Sequence, residues 1–146
     1  MCRVIDNNDG YVAAINVLGT PMLFSTAPLS QCFVLGTSGD KNSVDKHHIF
    51  PKNYLEKIGY DNDRDRNQIA NFTYLYYATN IGISDAPPAE YVGRYREKLG
   101  EDGYKLACAQ NALSENFEQL SYPEFLNQRR LLMAQIVKKA YHELNK

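Results

Sequence analysis

The chain has no apolar run approaching the roughly 20 residues of a membrane-spanning helix, and it shows no secretory signal. A cytoplasmic protein is the expectation. Its three cysteines, Cys2, Cys32 and Cys108, are far apart, odd in number and never in a Cys-x-x-Cys pair. Neither a zinc ribbon nor a disulfide framework is expected, and reduced thiols are the simplest reading. Charge of one sign is also lacking: 16 Lys and Arg against 17 Asp and Glu give a net −1. A strong non-specific binder of nucleic acid would be basic. A local patch or a bound cation can still steer a polyanion, so the balance excludes only indiscriminate binding. No glycine-rich phosphate loop, internal repeat or low-complexity tract is present.

What remains is an ordinary globular composition, 44% hydrophobic and 23% charged over 146 residues, enough for one domain with a real core. Residues 1–10 are polar and read as a ragged start. Residues 11–18 suit either a short helix ended by Gly19 or a strand, since the period does not decide. Pro21 and Pro28 punctuate 21–35, with 32–35 as a short strand or helix end, and 36–43 is loop-like. A strand over 44–50 is stopped by Pro51, which also opens a short helix over 52–58 with Gly59 as its cap. Residues 61–66 alternate acids with Arg64 and Arg66 and read as a solvated loop before a phosphate contact. A second strand is expected over 68–75, then a helix over 78–83.

The C-terminal half reads as helical. One helix begins at the Pro87-Pro88 pair and stops at Gly100. A second spans 102–110 and is expected to bury Leu106. Residues 111–120 are ambiguous. Ser121 and Glu124 form a capping box ahead of Phe125, Leu126, Leu132, Met133, Ile136, Ala140 and Leu144 at helical spacing. Arg129, Arg130, Lys138 and Lys139 read as solvated first and as DNA contacts second. His142 reads as a surface residue, and the tyrosines as core material.

The chemistry is concentrated at Asp45, His47 and His48. An acid two residues ahead of adjacent histidines is a compact way to bring metal ligands and a general base together. The alternative is a polar strand end with two surface histidines. Alternation puts Asp45 and His47 on one face and His48 on the other. Both imidazoles serve one site only if the strand ends or bulges there, which Pro51 allows.

Two further blocks follow. Asn71-Phe72-Thr73-Tyr74-Leu75 comes next, then Asn80 with Ile83-Ser84-Asp85, Pro88 and Tyr91. With His-His-Ile-Phe-Pro at 47–51, these blocks resemble an HNH (ββα-metal) nuclease, above all the C-terminal nuclease half of GmrSD-like restriction proteins. The resemblance is clearest over 44–91. It implies an α+β fold, with a ββα core at about 44–85 and a mainly helical part over 87–146. It implies hydrolysis of DNA phosphodiester bonds in restriction or phage defence. It assigns His48 as general base, His47 and Asn80 as metal ligands, and Asp45 as a third ligand or an outer orienter. Asn71 would tie the loop carrying the base to the second strand.

The implied cofactor is a divalent cation, Mg²⁺ before Mn²⁺, because amide and carboxylate oxygens favour hard ions. His47 leaves room for Ni²⁺ or Zn²⁺. The implied partners are DNA and an N-terminal nucleotide-hydrolysing regulatory domain or subunit not contained in this sequence. One departure stands out: many members carry a basic residue just after the helix Asn, where this chain has Ile81 and Gly82. That departure motivates an alternative, a non-catalytic DNA-binding or interaction module. A ribonuclease toxin is a third reading.

Overall fold

A computed structural model describes residues 7–26 and 44–146. The expectations for 1–6, for the segment at 32–35 and for the loop at 36–43 lie outside the described residues, as do Cys2 and Cys32.

Two five-residue strands supply the β component: β1 (Val44–His48) and β2 (Phe72–Tyr76). They pair antiparallel, with His47 opposite Thr73 and His48 opposite Phe72. Thr73 and Leu75 point inward from β2, and His47 does so from β1. β2 begins four residues later than the sequence suggested. The backbone of Ile69–Asn71 is instead wound into a 3₁₀ turn closed by Asn71 N–H to the Gln68 carbonyl at 2.8 Å. At this turn the fully buried Asn71 side chain bonds Phe50 and Arg66, outside the hairpin.

Five described helices and one short turn of helix surround this hairpin. α1 (Asn7–Val17) settles the ambiguity at 11–18 in favour of helix. It ends at Gly19, whose φ of +63° is cheap only for glycine. α2 (Lys52–Lys57) follows Pro51, and Gly59 turns the chain at φ +104°. α3 (Asp63–Arg66) is a single turn capped by Asn62, whose side chain accepts from Asp65 N–H. The solvated-loop expectation is therefore wrong for Arg66. That guanidinium is buried and meets Asp63 at 2.9 Å and Glu56 at 3.2 Å. α4 (Tyr77–Ile83) follows β2 directly.

α5 (Pro88–Gln110) breaks at Gly100, where φ +73° and ψ 165° leave the helical region. The expected stop and restart are thus both present, joined without an intervening loop. Leu106 is 58% exposed, which corrects the expectation that it is buried. Tyr104 and Cys108 take the inward positions, and the residue midway between them falls on the opposite side of the helix.

α6 (Tyr122–Leu144) has its capping box formed: Ser121 N–H donates to the Glu124 carboxylate, and Ser121 Oγ accepts from Glu124 N–H. Phe125, Leu126, Met133, Ile136 and Ala140 enter the core, whereas Leu144 is exposed near the helix end. α1 packs along α6. Arg129 corrects the solvated reading. It sits at helical spacing between Phe125 and Met133 and is 2% exposed. Its Nη1 donates to the Ala70 and Phe72 carbonyls at 2.7 and 2.6 Å, and its Nη2 to Asn111 O at 3.3 Å. A buried charge is tolerated when it is hydrogen-bonded, and here Nη1 and Nη2 bind α6 to the turn that feeds β2 and to Asn111, while Nε has no partner. Among the described residues, no helix is long and apolar enough to cross a membrane.

Candidate active site

β1 ends at His48, and that ending lets both histidines serve one place. His47 still faces inward opposite Thr73. One residue on, the chain leaves the sheet, and three interactions fix the departing segment. Phe50 N–H donates to Asn71 Oδ1 at 2.8 Å, and Asn71 Nδ2 returns a bond to Phe50 O at 3.0 Å. Ile49 N–H meets the Asn71 carbonyl at 2.8 Å. Asn71 Nδ2 also reaches Arg66 O at 3.2 Å. The side chain of Asn71 therefore ties the loop after the histidines to the start of β2. Tyr91 adds a second fastening from α5, its hydroxyl donating to Ile49 O at 2.7 Å.

An open cleft of about 250 Å³ lies over this corner. His47, His48 and Asn80 all line it, with Lys46, Lys52, Asn53, Ser84 and Asp85 around them. α4 supplies Asn80, aimed back across the hairpin. Its Nδ2 donates to Asp45 Oδ2 at 3.1 Å. Asp45 does not itself line the cleft, so it stands behind Asn80 and orients the amide. On the far wall Asn53 donates to Asp85 at 2.9 Å, closing α2 against the end of α4.

The two imidazoles differ in surroundings. His47 is 8% exposed, and its Nε2 has no hydrogen-bond partner. Burial pulls its pKa down to about 4, and this outweighs the opposing pull of the Asn80 side chain and of Asp45. His47 is thus neutral at pH 7, with a ring nitrogen free to donate a lone pair. His48 is half-buried, packed against the Phe72 ring at 4.5 Å. Its Nε2 lies 2.8 Å from Asn67 Oδ1. Burial lowers its pKa, the Asn67 bond opposes, and Lys52, Lys46 and Arg66 add a further lowering. A neutral imidazole beside cations is a competent proton acceptor near neutral pH.

The cleft holds two side chains able to donate to a divalent cation, an imidazole and a carboxamide. An orphaned, buried imidazole nitrogen sits in the same cleft as a carboxamide whose NH₂ donates to Asp45 and whose oxygen faces the His47 side. Among the described residues no group of three His, Cys, Asp or Glu side chains is placed to hold an ion. The described residues therefore form no closed structural zinc cage. Mg²⁺ is usually held by one or two carboxylates with water and phosphate, whereas the donors here are an imidazole nitrogen and an amide oxygen, which Mn²⁺, Ni²⁺ and Zn²⁺ also accept.

Asn67, Lys46 and Lys52 were not singled out from the sequence, and Tyr91 stood there only as the end of the third motif block, without a role. Asn67 bonds a ring 19 positions away, and Tyr91 a carbonyl 42 positions away, so no local spacing signals either. No protein-family model, curated protein or solved structure matches the chain.

Proposed function

We propose that this chain is a metal-dependent endonuclease of the HNH type that hydrolyses DNA phosphodiester bonds. The observation that carries the reading is the meeting of His47, His48 and Asn80 in one polar cleft, from two different elements, with His47 Nε2 unpartnered. His47 and Asn80 would hold the cation, with Asp45 fixing the amide. A bound Mg²⁺ or Mn²⁺ would supply charge stabilisation at the phosphate and at the leaving oxygen. His48 takes the proton of the attacking water. A carboxamide oxygen can only accept, so the hydrogen on His48 sits at Nε2 toward Asn67 and the free lone pair is at Nδ1. Lys46 and Lys52 border the same cleft and offer positive charge to the phosphate, Lys52 while held by Asp63 at 2.7 Å. A nucleotide-hydrolysing regulatory domain or subunit on another chain or segment belongs to the same proposal.

The second reading is a non-catalytic nucleic-acid or interaction module. Ile81, 60% exposed just after Asn80, favours it, since a cation at that position would add a phosphate contact. Nicking of supercoiled plasmid with Mg²⁺ or Mn²⁺, run beside a structured RNA, separates the readings. Metal-dependent nicking that chelation abolishes supports the nuclease. RNA cleavage alone points to a ribonuclease, and no cleavage of either points to the binding module.

A further inference from the structure

The cations of the described residues fall into two groups. Lys52, Arg66, Arg96 and Lys146 each have a carboxylate within ion-pair distance. Lys46, Arg64 and Arg130 are exposed and have none among the described residues. Other unpaired cations exist, but these three lie in one chain of neighbours from the His48 ring, which passes from Asn67 to Gln68 through the backbone and meets Arg64 at its carbonyl. Lys46 Nζ lies 4.2 Å over the Phe72 ring, which packs against His48. His48 bonds Asn67, and the next residue, Gln68, donates to the Arg64 carbonyl at 2.7 Å. Gln68 Oε1 in turn accepts from Arg130 Nη2 at 2.8 Å, and Asn127 Oδ1 accepts from Arg130 Nη1 at 3.2 Å.

Arg130 is thus positioned by two neutral amides. Its geometry is fixed while its full charge and remaining N–H donors stay available, which suits a phosphate. Of the nearby acids, Asp63 is paired with Lys52 and Arg66, whereas Asp65 and Glu124 accept from the neutral Asn62 and Ser121 and form no ion pair with these three cations. An overall charge near zero therefore coexists with three cations near the cleft that form no ion pair among the described residues. We infer that a nucleic-acid strand leaves the cleft along this line, its phosphates on Lys46, Arg64 and Arg130, with Asn67 and Gln68 between them. The inference rests on the nuclease reading and names the surface on which that substrate lies. Phosphate contacts of this kind set position and register without reading sequence.

The test is fluorescence anisotropy of a labelled mixed-sequence DNA duplex in EDTA across a range of salt concentrations. Each phosphate contact contributes about 0.9 to the slope of log affinity against log salt. K46A, R64A and R130A should each reduce the slope by about one, and the triple variant by two to three, equally for unrelated sequences. K138A/K139A should bind as wild type, because Lys139 lines a separate groove with Leu18 and Ile136. All altered side chains are exposed, and circular dichroism melts verify the fold. Unchanged slopes in the triple variant, or a loss confined to K138A/K139A, would overturn the track. So would binding of polyglutamate, lost in the triple variant, by a protein with no affinity for the duplex, since that assigns the surface to an acidic protein. Nicking that persists with unchanged slopes removes the track alone. Slopes as expected without any nicking support the track and remove the nuclease reading alone.

Discussion

His48 Nε2 and Asn67 Oδ1 lie 2.8 Å apart, which sets both the tautomer and the tilt of the imidazole. Asn67 is a positioning residue, and its substitutions should act through His48. Asn67→Ala should lower the cleavage rate by some part of the roughly 10²–10⁴ that general acid–base catalysis supplies. Asn67→Asp should place a carboxylate against the ring and raise the His48 pKa. A base works above its pKa, so the acid limb of the pH–rate profile should move to higher pH. A profile that stays in place would show that Asn67 is only structural.

Asn71 is fully buried and holds both polar backbone atoms of Phe50. Asn71→Ala strands an N–H and a carbonyl away from water. At about 1–3 kcal/mol for each unsatisfied buried group, the loss should be roughly 3 kcal/mol, read by urea denaturation. A cost below about 1 kcal/mol would mean that the loop is held by other contacts, Tyr91 first among them.

The capping box of α6 belongs to the scaffold and not to the site. Ser121→Ala should cost about 1 kcal/mol and leave cleavage unchanged below the melting temperature. Lost activity at unchanged stability would place this helix end in the substrate surface.

Periodicity and punctuation made much of this fold legible. The stop at Pro51, the break at Gly100 and the box at Ser121 are local chemistry, and they stand where the sequence puts them. The meeting of both histidines with Asn80 was an expectation carried by the resemblance alone, and β1 ending at His48, two residues before the expected end, is what lets both rings line one cleft. Arg129 and Arg66 were misread for one reason. A charged residue in a polar stretch reads as solvated unless its distant partners are known, and these partners are carbonyls 57–59 positions away for Arg129 and Glu56 for Arg66. Asn67 escaped notice for the same reason. The late start of β2 was not legible either, because the partner of the Asn71 side chain, Phe50, lies 21 positions away.

His47 should leave a mark on stability. Its pKa falls from 6.5 to about 4 on folding, so the unfolded chain takes up a proton first as pH drops. The stabilisation is complete above about pH 6.5 and is lost as pH falls toward 4, by roughly 3 kcal/mol in all. His47→Gln removes that term, while carboxylate contributions common to both proteins cancel in the difference. The stability gap between wild type and His47→Gln should therefore shift in favour of the variant between pH 7 and pH 4.5. A constant gap across that range would mean that His47 is not buried neutral.

The central claim is that His48 acts on water while His47 holds the cation, and one titration tests it most directly. Plasmid nicking is measured against Mn²⁺ concentration for wild type, His47→Ala and His48→Ala, with metal binding followed by calorimetry. The account predicts that His48→Ala is inactive at every metal concentration yet binds Mn²⁺ nearly as wild type. It predicts that His47→Ala binds the ion weakly or not at all and that any activity shifts to higher Mn²⁺. Swapped patterns would reverse the two roles, and nicking indifferent to both substitutions would contradict the account.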